Sequence, residues 1–243
     1  MKKVFIIVPS RGGRESLWDL IDSYTKTRGE RTEMLVVIDK DETNKYKRLF
    51  EEVRMGVTVV VLDKRYMLTP KLNIVAEGII RGDFGPSIGV AFMGDDCVFQ
   101  TENWEDRVVN KIEENRGIVY CNDLLQGEIL PNNIFIHREI VEAVGSMAPP
   151  TLTHFYIDNY WKDLGIRINN IHYFADIIIE HKHYSNGKAV KDALYLECEK
   201  LADPDHKAYD MYVHLGHLAS DTRKVLIYKS TLENNGREKI SNN

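Results

Sequence analysis

The chain has 243 residues, 43% of them hydrophobic and 28% charged, with a formal net charge of −5. That length and apolar content suffice for a sizeable core, in one large domain or two small ones. The near balance of charge excludes a chain-wide basic bias toward nucleic acid or anionic membrane, though not a local basic patch.

"KKVFIIVPS" is a continuous apolar run with β-branched residues and reads as a strand buried on both faces, as in a parallel sheet. "RGGRE" follows as a turn, and "ESLWDLIDSYTKT" sets Leu17, Leu20, Ile21 and Tyr24 at helical spacing. "EMLVVID" is a second buried strand, "ETNKYKRLFEEVR" a charged helix, "VTVVVLD" a third strand and "LTPKLNIVAEGIIRG" a third helix. "SIGVAFMGDD" is a fourth strand that ends in acids. This alternation predicts a doubly wound α/β domain with a mostly parallel sheet and right-handed crossovers.

In the second half, "WEDRVVNKIEEN" reads as a helix, "GIVYCND" and "NNIFIH" as extended, and "REIVEAVG" as a short helix closed by Gly145. "THFYIDNYWKDLG" reads as a helix ending at Gly165, and "IRINNIHYFADIIIEHKHY" as one or two strands. "DPDHKAYDMYVHLGHLASDTRKVLIYKS" reads as one C-terminal helix, capped by Asp203 with Pro204 in its first turn, and "ENNGREKISNN" as a frayed tail. With no repeat and no low-complexity linker, residues 1–100 and 101–200 are read as two halves of one domain, followed by a C-terminal helix and tail over 201–243.

Cys97, Cys121 and Cys198 are odd in number and lack metal-type spacing, so they read as reduced thiols in a cytoplasmic setting. "VFIIVP" is too short for a signal-peptide core, and no apolar segment is long enough to span a bilayer.

In open α/β sheets, ligands bind beyond the carboxyl ends of the strands. The four strands end at Pro9-Ser10-Arg11, at Asp39, at Asp63-Lys64-Arg65 and at Asp95-Asp96. Acids and cations thus meet along one edge, a mixture suited to a diphosphate bridged by Mg²⁺ or Mn²⁺. An acid after a strand is equally a cap or turn former, and for Asp39 and Asp63 both readings stand. Two adjacent carboxylates repel, so a cation is the simpler reading for Asp95 and Asp96. "PSRGGRE" lacks the G-x-G-x-x-G spacing, and there is no Walker lysine motif, G-x-S-x-G elbow or H-E-x-x-H.

In order along the chain, several segments resemble GT-A-fold, family-2-like glycosyltransferases. "VFIIVPSRGGRESLWDLIDSY" is similar to their first strand and helix, "LVVIDKDE" to their second strand, and "TPKLNIVAEGI" to the helix before their metal strand. "FMGDDCVF" resembles their D-x-D segment in a two-acid form, and "VEAVGSMAP" their acceptor-side "VG-F-P" segment. "HFYIDNYWKDLG" resembles the "E-D-x-D-x-x-x-R" region, and "IIIEHKHYSNGKAVKDALY" the "H-x-H…GKA…D…Y" ending of phage-encoded relatives. The likeness covers residues 3 to 195. It departs at Cys97, where many members carry a third acid, and at Ile157-Asp158, where an acid pair is usual.

The resemblance implies a GT-A-type fold, with residues 1–100 binding a nucleotide-sugar donor and 101–200 forming the acceptor half. It implies transfer of a sugar, with UDP as the leading nucleotide, to an acceptor hydroxyl on a glycan or a modified phage DNA base, in a host cytoplasm if the chain is phage-encoded. Asp39 would contact the nucleoside, Asp95 the ribose or metal, and Asp96 would ligate Mn²⁺ or Mg²⁺. His181 or His183 would add a metal ligand, and Asp158 would be the general base. Pro9, Ser10, Arg11, Arg14, Arg65, Lys71 and Lys188 would line the donor site. From the residues alone, Asp158 is equally a helix-surface acid, Trp104 and Trp161 equally core or stacking groups, and Lys188 and Lys191 equally solvent-facing. Two further readings stand beside this one: a nucleotidyltransferase, and a non-catalytic nucleotide- or sugar-binding module.

Overall fold

The computed structural model describes residues 1–52 and 54–241, with the backbone alone for Glu233 and residues 235–241. In chain order the elements are β1 (Lys3–Pro9), α1 (Ser16–Thr27), β2 (Thr32–Asp39), α2 (Lys47–Glu51), β3 (Val57–Leu62), α3 (Leu68–Arg81), β4 (Ser87–Phe92) and β5 (Cys97–Phe99). They continue with α4 (Trp104–Asn115), β6 (Ile118–Asn122), β7 (Ile134–His137), α5 (Arg138–Val144), α6 (Ile157–Arg167), β8 (Ile171–His181), α7 (Ala193–Glu199), α8 (Ala202–His214) and α9 (His217–Ser241).

The strands form one sheet in the order β3-β2-β1-β4-β7-β6-β8-β5. The first four are mutually parallel, and β7 runs antiparallel to both β4 and β6. β8 is parallel to β6, and β5 is antiparallel to β8. Because side chains alternate along a strand, the unbroken apolar run of β1 feeds two cores. Val4, Ile6 and Val8 join a cluster with α1 and α4, where Trp104 is fully buried. Phe5 and Ile7 join a cluster with α3, α5 and α6 on the other face. Each such side chain contributes about 1.5–3 kcal/mol on burial. Tyr209 of α8 and Leu218 and Val225 of α9 enter the second cluster, so the C-terminal helices pack against the α6 side.

Several sequence expectations are corrected. The charged segment after β2 is a 3₁₀ helix over Lys40–Tyr46 before α2, because Glu42 and Tyr46 are pinned to the turn after β1. α6 continues past Gly165 to Arg167; a Cβ at Gly165 would lie 2.8 Å from Ile171 Cβ, so this glycine serves close packing on β8 rather than a stop. The single C-terminal helix is two, broken at Gly216, whose φ of 79° suits glycine. Asp203 lies inside α8 rather than capping it. The backbone is helical to Ser241 where a frayed tail is expected; Asn242 and Asn243 lie outside the described residues, as does Val53. α7 is a helix that the sequence reading leaves unassigned.

Candidate active site

The parallel strands deliver their carboxyl ends to one edge, where a cavity of about 650 Å³ opens. Every site residue expected from the sequence lines it except Asp39 and Lys188.

The acid pair sits in the tight turn between β4 and β5. Gly94 leaves room for it, since a Cβ there would come within 2.6 Å of Asp96 Oδ1. Ser10 Oγ donates to Asp95 Oδ2 at 2.6 Å, and Arg14 lies 3.5 Å from Oδ1. The antiparallel pairing of β5 with β8 sets Cys97 opposite His181. His181 Nε2 therefore reaches Asp96 Oδ1 at 3.2 Å, while Asp96 Oδ2 accepts from the Tyr195 hydroxyl at 2.7 Å.

These contacts separate the two carboxyls. Burial and the neighbouring Asp96 push Asp95 upward. Burial also acts on Asp96, but His181 and Tyr195 outweigh it and hold Asp96 below the ordinary range. The reciprocal effect raises His181 against its own burial. His183 differs: burial and the nearby His181 lower it, and its Nδ1 accepts from Ser185 N at 3.2 Å, capping the Tyr184–Asn186 turn. The two rings lie 5.2 Å apart.

The cations gather beyond Asp95. Arg11, Arg14, Arg65 and Lys71 line the cavity at this end. Asp39, expected to contact the nucleoside, lies beneath the cavity with a side chain 0% exposed. Its carboxylate takes Lys71 Nζ at 2.9 Å, Arg11 at 3.0 Å and Tyr66 N at 3.3 Å, so it anchors two cations. Lys188 is drawn instead to buried Glu180, which requires a counter-charge. Arg65 pairs with Glu197 of α7.

Asp158 lines the same cavity from the first turn of α6, close enough to His181 for their charges to interact. The helix N-terminus favours its charged form, yet burial prevails and pushes its pKa up to about 6. Among the described residues it bonds only to backbone N–H groups of its own turn, Asn159 N at 3.0 Å among them. Phe155, Tyr156 and Trp161 add aromatic lining to the cavity, and Gln126, Asn132 and Asn159 supply amides. Trp161 is 1% exposed, its indole N–H donating to the Met147 carbonyl. Trp104, by contrast, belongs wholly to the core.

The residues present suit a divalent cation carried with a diphosphate. Among the described residues, no group of three or more His, Cys, Asp or Glu could hold a metal by itself. Mg²⁺ and Mn²⁺ bound with nucleotides take one or two carboxylates and complete their shell with phosphate and water. Asp96, held below the ordinary carboxylate range, and His181, whose Nδ1 is buried and has no hydrogen-bond partner among the described residues, are of the required kind.

The sequence reading misses α7. Its cap Asp192 accepts from Leu194 N and Tyr195 N and also pairs with Arg14 at 2.8 Å. The Arg14 guanidinium lies 4.5 Å from the Tyr195 ring centroid. An Asp followed by "ALYLEC" is a readable cap and short helix, but nothing local ties it to Asp96.

No protein-family model and no curated protein matches the chain. Solved structures share its architecture. TarS 1–349 of S. aureus in complex with UDP-GlcNAc is 17% identical, with a TM-score of 0.55 over 73% of this chain and 57% of that one. The UDP complex of the same fragment is 16% identical, with a TM-score of 0.55 over 73% and 59%. The mannosyltransferase PcManGT from Pyrobaculum calidifontis, in complex with GDP-Man and Mn²⁺, is 14% identical, with a TM-score of 0.55 over 94% and 74%. The chain spans 36% to 59% of the TarS chains it matches. The architecture is the GT-A-type glycosyltransferase fold that the sequence motifs resemble. Among the described residues no helix is long and apolar enough to cross a membrane.

Proposed function

We propose that this protein is a glycosyltransferase that moves a sugar from a nucleotide-sugar donor, UDP-linked, to an acceptor hydroxyl, with Mn²⁺ or Mg²⁺ held by Asp96 and His181. One observation carries the reading. A single cavity is lined by an acid pair, four cations and a half-buried carboxylate that, among the described residues, has no side-chain hydrogen bond.

Arg11, Arg14, Arg65 and Lys71 supply the positive charge that a diphosphate requires. The cation, when bound, neutralises charge developing on the diphosphate leaving group. Ser10 and Arg14 orient Asp95 beside that group. Asp158, with a pKa of about 6, is ionised at neutral pH and remains basic enough to take a hydroxyl proton. The UDP-GlcNAc and GDP-Man complexes of the structural neighbours support the donor class, and the Mn²⁺ of the mannosyltransferase supports the metal. The acceptor is a hydroxyl of a glycan or of a modified DNA base, met by the aromatic and amide wall around Asp158. Buried, unpaired Cys97, Cys121 and Cys198 suit a reducing cytoplasm, a host cytoplasm if the chain is phage-encoded.

The test is a thermal-shift and calorimetric panel of UDP, GDP and their sugars, with and without Mn²⁺. Mn²⁺-dependent stabilisation by nucleotide is expected. A protein indifferent to every nucleotide in both conditions sinks the reading. Mass spectrometry of glycans and nucleic acid from expressing cells then identifies the acceptor.

A further inference from the structure

Asp205 of α8 is 1% exposed. Its carboxylate accepts three consecutive backbone N–H groups: Oδ1 from Thr153 at 2.9 Å, and Oδ2 from His154 and Phe155 at 2.7 Å each. Such bonds to an ionised acceptor are short and roughly twice as strong as neutral ones. The segment they hold leads directly into α6, and Asp158 is the second residue of that helix.

The same segment is gripped elsewhere by the C-terminal helices. Tyr156, which precedes α6, is held in the left-handed region at φ 65°, a strained conformation for a tyrosine. Its ring stacks on His206 with centroids 4.9 Å apart and planes 6° apart, and on Tyr209 at 5.9 Å. The Tyr209 hydroxyl donates to Asp163 of α6 at 2.5 Å. From the donor side, Thr69 N donates to the Thr153 carbonyl at 3.1 Å. Among the described residues Asp158 has no side-chain hydrogen bond, so its direction is set chiefly by the backbone that precedes it.

We propose that Asp205 is a positioning residue for transfer: by holding the Thr153–Tyr156 segment it aims Asp158 into the cavity. The proposal rests on the reading of Asp158 as the acceptor-side base. It assigns the C-terminal helices a part in the chemistry, since an α8 carboxylate sets the geometry of an α6 carboxylate that it does not touch.

The experiment follows the Asp158 carboxyl by NMR titration, alongside turnover and nucleotide affinity, in wild type and in Asp205→Asn. Asparagine keeps one acceptor oxygen and loses the charge, which makes it the variant most able to fold. Asp221→Asn is the control for stability. Asp221 is also buried and binds the hydroxyls of Tyr160 and Tyr212, but it does not touch the Thr153–Phe155 segment.

In Asp205→Asn the Asp158 titration should fall from about 6 toward the ordinary 3.8 as the carboxyl becomes solvated. Turnover should drop by roughly 10–100-fold, as misplacement of a reacting group does, with nucleotide affinity unchanged. Asp221→Asn should lower the melting temperature without moving the Asp158 titration. A folded Asp205→Asn protein with wild-type titration and turnover overturns the proposal, and so does an equal titration shift in Asp221→Asn. Should the variant not fold, amide exchange of the wild type decides. Slow exchange at Thr153, His154 and Phe155 supports the anchor, and exchange as fast as in open loops overturns it. A wild-type protein inactive on every donor, yet with an Asp158 titration that moves in Asp205→Asn, keeps the anchor and discards the transferase reading.

Discussion

The Tyr195 hydroxyl donates to Asp96 Oδ2 at 2.7 Å, joining α7 to the acid pair across 99 residues of sequence. With His181 on Oδ1, both oxygens of Asp96 are engaged. A cation on Oδ2 shares that oxygen with the Tyr195 hydroxyl and competes with it for electron density. Tyr195→Phe removes the competing hydroxyl without changing ring packing. Its affinity for Mn²⁺ in the absence of nucleotide should rise severalfold, read by calorimetry. An unchanged or weaker affinity would show that Tyr195 does not compete for this oxygen.

Asp96 itself should be indispensable for metal-linked binding. Asp96→Ala should abolish the Mn²⁺-dependent part of nucleoside diphosphate binding while circular dichroism reports a folded protein. Equal affinity in Mn²⁺ for the variant and wild type would remove Asp96 from the ligand set.

The two histidines should separate cleanly. His181 reaches Asp96, whereas His183 spends its Nδ1 on Ser185. His181→Ala should lose most of the Mn²⁺ effect. His183→Ala should keep it and lose about 1 kcal/mol of stability with the cap. Equal losses of metal response in both variants would contradict the assignment.

Asp158→Asn should retain donor affinity and lose turnover by roughly 10²–10⁴-fold, the usual range for a general base. In wild type, turnover should rise with pH through about 6 as Asp158 ionises. Stability runs the other way. The folded pKa lies above the ordinary 3.8, so the folded state holds the proton more tightly, and stability falls as pH rises from about 4 to about 6. Asp158→Asn should therefore be more stable than wild type at pH 7–8, by on the order of 3 kcal/mol, with the gain vanishing near pH 4. Melting curves across that range are the measurement, and a variant no more stable at pH 8 than at pH 4 would contradict it.

Lys71 and Asp39 form a pair whose side chains are 4% and 0% exposed. Lys71→Met leaves the Asp39 carboxylate with Arg11 and one N–H, and should cost about 3 kcal/mol in denaturant unfolding. Arg81→Ala, at an exposed pair, should cost far less. Similar costs for the two variants would deny Asp39 its anchoring role.

The α/β class, the positions of β1, α1, β2, α3 and α4, and the place of the acids at strand ends are all legible in the residues. These depend on local periodicity, because an element buried on one face or both must show that burial in its own residues. Asp95-Asp96 was legible for the same reason, as a pair of charges breaking an apolar run. What each charge meets is set by packing between elements. His181 rather than His183 faces Asp96 because of the β5–β8 register. Asp39 lies below the cavity because Lys71 and Arg11 close over it, and Lys188 leaves the cavity for Glu180. Tyr195 and Asp205 act on segments distant in sequence, with partners at Asp96 and at Thr153–Phe155. Such contacts follow from how separate elements pack, and the periodicity of either partner alone carries no record of them.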